Sequence, residues 1–316
     1  MKTVREKYGL LVIGILVGIA YAIITRIAFG EKAMLASVTY LFLIPTVLGM
    51  VPLLFASHEQ LRSYRNFIFI PWLVVGSSLM MMVALDLEGL ICLIILGAPF
   101  FMLATLGAFI VRLVQLNRES KNKGKIIGLL ILPFLLSPAE NFVTSPSEVY
   151  EAKNTVIISS TAANIWENIV EVDEISTDEY ESGFFNDLGI PRPVSASVDN
   201  RKVGGHRIGH FGGGLVFNEL ITHYDSLKKV AFEIDVDSKT VSDNVFDQHV
   251  LNGNYFRFVD ATYTLTELPD GRVELALASK YQLTSKINFY GKFWGDIILE
   301  DFQSRLLVVI RKRCEQ

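Results

Sequence analysis

Arg207 and Glu219 lie in strand-like, glycine-rich sequence, Gly205-His-Arg-Ile-Gly-His-Phe-Gly-Gly213 and Phe217-Asn-Glu219. Pointing inward, such a pair could orient the headgroup of a bound molecule; pointing outward, it is a cross-strand ion pair worth little. Tyr263 and Tyr281 are the other polar candidates, because a buried phenol needs a hydrogen-bond partner that a ligand could supply. His206 and His210 share one strand face, which invites a metal, but the sequence places no third ligand and surrounds them with glycine. No metal and no cofactor are expected. Gly212-Gly-Gly214 lacks the Lys-Ser/Thr of a phosphate loop and reads as a bend or bulge. No Ser-His-Asp set sits on a recognisable elbow. General acid–base work by a pocket tyrosine, Arg207 or a histidine is the extent of the catalytic repertoire, so binding is the leading expectation and enzymatic turnover the alternative.

Those residues need a one-sided sheet and something to cover it. Tyr255 to Leu268 and Arg272 to Thr284 flank Pro269-Asp-Gly271, a strong hairpin turn. In them Val259, Ala261, Tyr263 and Leu265, and Val273, Leu275, Leu277 and Tyr281, alternate with polar residues. Val230, Phe232, Ile234 and Val236 repeat the pattern. Period two means one covered and one wet face, hence an antiparallel sheet. The cover is a helix from about Phe289 to Arg313, with Trp294, Ile298, Phe302, Leu306 and Ile310 every four residues and Leu299 and Val309 beside them. Burying five such side chains at roughly 1.5–3 kcal/mol each favours docking on the sheet. Upstream, Thr155 to Ser159 reads as strand, Ser160 to Val170 as a helix with an apolar stripe, and Glu179 to Leu188 as a second short helix. The acids of Glu171 to Glu181 read as a solvated face. Facing candidates for an apolar ligand between sheet and helix are Phe232, Tyr263, Leu265, Leu277, Tyr281, Trp294, Ile298 and Phe302; the competing reading is that they simply fill a core.

The first half belongs to a different solvent. Mean hydropathy is +0.38, and the apolar excess falls in Leu10 to Ala28, Met34 to Phe55, Phe67 to Leu85 and Leu90 to Val111. Each is near the roughly 20 residues that cross a bilayer core. Ile126 to Pro138 is a short fifth candidate, with a re-entrant helix as its competitor. Gly14-Ile-Leu-Val-Gly18 fits a small-xxx-small packing face. Buried charge within the spans, the mark of a transport path, is not apparent. Lys2, Arg5, Lys7, Arg62, Arg65, Arg112 and the basic run to Lys125 fall on one side, which the positive-inside rule makes cytoplasmic. A fifth crossing then carries the second half out of the cytoplasm. The expected divisions are a transmembrane bundle over 1–138, a linker over 139–153 and an α+β domain over 154–316. A net charge of −4 gives nucleic-acid binding no support. Cys92 and Cys314 make no disulfide framework.

Residues 152–316 resemble the START-like, Bet v 1-like superfamily, which includes polyketide cyclases and lipid-transfer domains. The resemblance rests on Ile157-Ile-Ser-Ser-Thr-Ala-Ala-Asn-Ile-Trp166, the Gly205–Gly213 and Phe217–Glu219 segments, Tyr263-Thr-Leu-Thr-Glu-Leu-Pro-Asp-Gly271 and Tyr290-Gly-Lys-Phe-Trp294. It implies a helix-grip fold, a curved antiparallel sheet gripping a long C-terminal helix, with a lipid or other hydrophobic small molecule between them. The membrane half is similar to that of bacterial membrane-anchored members, which implies a bacterial inner or plasma membrane. Cyclase, aromatase or hydrolase activity and a protein-interaction role stay open, because such a fold hosts many functions.

Overall fold

The computed structural model describes residues 4–30, 37–116, 128–243, 248, 250–253 and 255–316. Its contacts divide the chain into two compact units, Met1–Ser145 with Ser285–Ile287, and Pro146–Thr284 with Asn288–Gln316.

The first unit is helical: α1 (Val4–Phe29), a π-turn (Thr39–Leu43) running into α2 (Ile44–Leu54), α3 (His58–Arg62), α4 (Tyr64–Ala84), α5 (Leu90–Leu116) and α6 (Leu132–Glu140). Three stretches, Tyr8–Phe29, Tyr64–Ala84 and Leu90–Leu116, are long and apolar enough to cross a membrane. Of the expected Met34 to Phe55 span, residues 34–36 lie outside the described residues; the described part, Thr39–Leu54, is shorter. Its π-turn immediately precedes Pro45, which has no N–H to return to the preceding turn.

Packing in this unit depends on backbone contact. A Cβ on Gly49 would lie 1.8 Å from Ala104 O, and one on Gly107 would lie 1.8 Å from Thr46 O, so α2 and α5 cross with no side chain between them. Gly14 and Gly18 are used as expected: an added Cβ would come within 2.8 Å of Pro52 O and of Val74 Cγ1 respectively. A buried ion pair lies at an end of the bundle, where the sequence places loop-side charge, and not midway along its helices. Arg26, at the end of α1, pairs with Glu88, just before α5, both buried, and its Nη2 donates to Leu87 O at 2.8 Å.

The described part of the expected fifth crossing over 126–138 is not one continuous helix. Residues 126 and 127 lie outside the described residues; a helical turn at 128–129 breaks at 130–131, and α6 starts only at Leu132, with Pro133 in its first turn. Nine residues make about 13 Å of helix. The segment nevertheless climbs the bundle. Tyr21 Oη donates to Leu130 O at 2.8 Å, the Phe134 ring meets those of Tyr21 and Phe29, and Glu140 accepts from Thr39 N at 2.6 Å. At the opposite end of the bundle, Arg112 Nε near the end of α5 donates to Leu61 O in α3 at 3.0 Å.

The second unit is α+β. Its elements are β1 (Ser147–Ile158), α7 (Ala162–Val170), α8 (Phe184–Asp187), β2 (Pro193–Val198), β3 (His206–Phe211), β4 (Val216–Asp225), β5 (Lys229–Val236), β6 (Phe256–Glu267), β7 (Val273–Thr284) and α9 (Asn288–Cys314). The strands form one seven-stranded antiparallel sheet in the order β1-β7-β6-β5-β4-β3-β2. Of the stretch expected as a linker, Ala139 and Glu140 are helix and Ser147 to Lys153 are strand. The helix expected over Glu179 to Leu188 contracts to the single turn of α8. Gly212–Gly214 is the turn between β3 and β4, with Gly213 at φ 72°, rather than a bend within a strand. Thr161 caps α7 by accepting from Asn164 N.

The main core lies between the sheet, α7 and the C-terminal half of α9, where Trp166, Phe232, Leu275, Leu307 and Ile310 are buried. The acidic run is not merely solvated. Arg313 pairs with Glu179, Lys312 with Glu181, and Arg305 Nη1 donates to Glu181 O at 2.8 Å, which straps the segment before α8 to α9.

Candidate functional site

The Arg207–Glu219 pair is directly cross-strand and points inward. Both residues are buried and bonded to each other. Arg207 Nε donates to Val170 O at 3.0 Å and Nη2 to Ile169 O at 3.4 Å, and the guanidinium lies 4.7 Å from the Phe232 ring centroid. These carbonyls end α7, where a cation is favoured. The pair therefore ties the helix end to the sheet and is not free to hold a headgroup. Phe232 and Tyr263 meet edge to face at 6.4 Å within the main core. Burial pushes the Tyr263 phenol up to about 12, with Arg207 lowering it and Glu219 raising it.

Tyr281 is fully buried, and its hydroxyl is committed to α9: it donates to Asp296 Oδ1 at 2.6 Å and to Lys292 O at 3.3 Å. Burial first, and then the Asp296 hydrogen bond, drive its pKa up. Gly295 permits the approach, since a Cβ there would lie 3.0 Å from the Tyr281 ring. On α9 the buried positions are Asn288, Leu299, Gln303, Leu306, Leu307, Val309, Ile310 and Cys314. Trp294, Ile298 and Phe302 are half-buried at the flank of that stripe, so the expected every-fourth-residue face is rotated.

Phe302 faces a row of rings across the sheet. It is 6.1 Å from Phe211, Phe211 is 4.5 Å from Phe217, Phe217 is 5.1 Å from Phe258, Phe258 is 5.0 Å from Phe256, and Phe256 stacks on Tyr281 at 5.7 Å. Phe211, Phe256, Phe258 and Phe302 are only half-buried. The concave face is thus a filled core toward one end and an aromatic, partly open surface toward the other.

A bulge creates the opening. β5 and β6 pair from Lys229↔Thr264 to Glu233↔Asp260 and no further, and the β6–β7 register shifts between Phe258 and Asp260. The extra residue, Val259, switches the inward set from Ala261, Tyr263 and Leu265 to Phe256 and Phe258 and bends β6 away from β5. Between the parted strands is a cavity of about 310 Å³, walled by Ile234, Val236, Leu251, Tyr255, Phe256 and Phe258, with Asp235, Arg257, Gln282 and Thr284 at its polar side. Arg257 Nη2 donates to Gln282 Oε1 at 2.9 Å.

None of the residues expected to bind a ligand lines this cavity; Tyr281 adjoins it by its stack on Phe256, and Phe302 is separated from it by the rings of Phe211 and Phe217. Arg207, Glu219, Phe232 and Tyr263 are core. His206 and His210 are both exposed, and among the described residues no group of three or more His, Cys, Asp or Glu is placed to hold a metal.

No family model and no curated protein matches the chain. Solved structures do. A Nitrosospira multiformis protein is 12% identical over 52% of this chain and 96% of its own, with a TM-score of 0.34. A Chromobacterium violaceum protein is 12% identical over 52% of this chain and 97% of its own, also at 0.34. The Aha1 dimer from Colwellia psychrerythraea is 9% identical over 52% of this chain and 96% of its own, at 0.30. These likenesses are too distant to assign an activity.

Proposed function

We propose that this chain is a membrane-anchored START-like protein that binds a lipid or another apolar small molecule in the cleft where β5 and β6 part. The cleft itself carries the reading. At about 310 Å³ it falls at the lower end of the roughly 300–1,000 Å³ of small-molecule sites. Asp235, Arg257, Gln282 and Thr284 beside its aromatic and aliphatic side chains give it a lining more polar than apolar, which suits the polar end of an amphipathic molecule. The order strand, two short helices, sheet and long helix supports a helix grip. The site moves from the centre of the sheet, where the sequence suggests it, to the end where the core is open. Binding there is sequestration without covalent chemistry.

Three helices able to cross a membrane support the anchor. Arg62, Arg65 and Arg112 cluster at the α3 end of the bundle, whereas α6 finishes at the end holding Arg26, Glu88 and Thr39. With the basic end cytoplasmic, the α+β unit is extracytoplasmic.

Native mass spectrometry of the detergent-purified full chain tests the binding. The expected result is a retained apolar molecule that Ile234→Trp, which fills the cleft, expels; a wild-type protein with no adduct after exposure to phosphatidylglycerol vesicles would sink the reading.

A further inference from the structure

The N-terminal end of α9 leaves an aromatic face uncovered. Phe289 and Phe293 are 65% and 55% exposed, and their spacing puts them on one face, one turn apart. Tyr290 and Trp294 lie beside them, with ring centroids 6.4 Å from Phe289 and 5.4 Å from Phe293 respectively. The other large apolar residues exposed on the described part of this unit, such as Val149, Val203 and Leu227, are scattered over separate elements, and single exposures of that kind are ordinary. Two neighbouring phenylalanines on a helix face are not.

The occupant follows from where the chain enters and leaves the unit. Ser147 pairs with Thr284, and Asn288 Nδ2 donates to Pro146 O at 2.9 Å, so both covalent connections meet at one point. Phe289 is the next residue. The residues between Thr284 and Asn288 group with the apolar helices, and Thr284 also lines the cleft. The exposed rings, the tethers and the cleft thus occupy one end of the α+β unit. Lys286 precedes the four aromatics, and Lys292 lies among them and pairs with Asp296. Aromatic rings beside lysines suit the boundary between lipid headgroups and acyl chains.

We propose that Phe289 and Phe293 seat in the outer interface of the bilayer that the helical unit spans, holding the cleft at headgroup depth so that its ligand is a lipid drawn from that leaflet. This rests on the membrane-anchored reading above.

Spin labels in the full-length protein, reconstituted in phosphatidylcholine–phosphatidylglycerol bilayers, test it. Cys92 and Cys314 are buried and are replaced by alanine; labels go on Phe289→Cys, Phe293→Cys, the exposed Val203→Cys as a water reference and the 73% exposed Met102→Cys of α5 as a lipid reference. Collision with oxygen is compared with collision with a water-soluble nickel chelate. The expected oxygen-to-nickel ratios at 289 and 293 approach that at 102 and exceed that at 203 several-fold. Ratios equal to that at 203, or shielding from both reagents as a protein partner or second copy would give, overturn the proposal while a lipid-exposed 102 leaves the anchor intact. A water-exposed 102 removes the anchor and this inference together.

Discussion

Tyr281 donates its hydroxyl hydrogen to Asp296 Oδ1 at 2.6 Å, which bonds the second half of the sheet's β7 to the third turn of α9. Lys292 pairs with the same carboxylate, so the phenol, the acid and the ammonium form one short network at the point where the helix docks. A tyrosine that looks like a ligand donor in the sequence is here a fastening.

Tyr281→Phe removes that fastening and leaves the ring packing intact. A hydrogen bond to a charged group contributes about 1.5–3 kcal/mol, and Asp296 keeps Lys292, so the loss falls toward the lower figure. Denaturant unfolding of the full chain should show it, with ligand occupancy unchanged.

Arg207→Ala should cost more, about 3–5 kcal/mol, because it leaves a buried Glu219 without its partner and uncaps α7. Arg207→Met with Glu219→Leu removes both charges and should recover much of that loss. A double variant as unstable as the single one would show that the helix cap, not the stranded charge, dominates.

Much of the α+β unit was legible because its signals are local. The turn at Pro269-Asp-Gly271 forms with Gly271 at φ 83°, and the flanking strands run 256–267 and 273–284, close to the expected bounds. The face of α9 was legible in part: Leu306 and Ile310, with Leu299 and Val309 beside them, are buried, whereas Trp294, Ile298 and Phe302 sit at its edge for a definite reason. Gln303 is fully buried at the middle of the covered stripe, donating to Ala152 O at 3.1 Å and Ser279 Oγ at 2.9 Å while accepting from Asn154. A pattern scored on apolar residues passes over a buried glutamine and settles on its neighbours. The cleft was illegible for a different reason: it exists where a ladder stops, and Val259 looks like any other apolar residue of its strand until the pairing is known.

The strap between α9 and the segment before α8 carries a pH signature. The hydrogen bond from Arg313, then that from the Ser176 N–H, and after them the Arg313 charge, hold the Glu179 carboxyl down from its ordinary 4.5 to about 2. A carboxyl depressed in the folded state contributes stability that is full above its unfolded pKa and is lost as pH falls through the folded one. The contribution should therefore fade between pH 4.5 and 2, and Glu179→Gln should erase that part of the pH dependence. Glu179 is largely solvated, so the effect is modest; unfolding midpoints of both proteins across this window measure it.

In the helical unit, Gly107→Ala and Gly49→Ala should each force α2 and α5 apart. The added Cβ meets backbone, Thr46 O or Ala104 O, and not a side chain that can turn away. The roughly 1 kcal/mol that alanine gains over glycine within a helix cannot offset separation of the two backbones. Thermal unfolding in detergent should drop for both, whereas Gly128→Ala, whose Cβ meets nothing within 4 Å, should not.

Deleting Val259 tests the origin of the cleft. Phe258 stands opposite Tyr281 and Asp260 opposite Lys280 on successive rungs, so removing Val259 leaves an unbroken ladder with Phe256 and Phe258 still on the inner face. What the deletion removes is the bend that parts β6 from β5. Pairing between the two strands can then run on past Glu233↔Asp260 and close the cleft. The stack of Phe256 on Tyr281 should survive. The deletion variant should accordingly fold, lose its bound molecule in native mass spectrometry and bind a hydrophobic dye no more strongly than the wild type. A folded deletion variant that keeps its ligand would show that the cleft does not depend on the bulge.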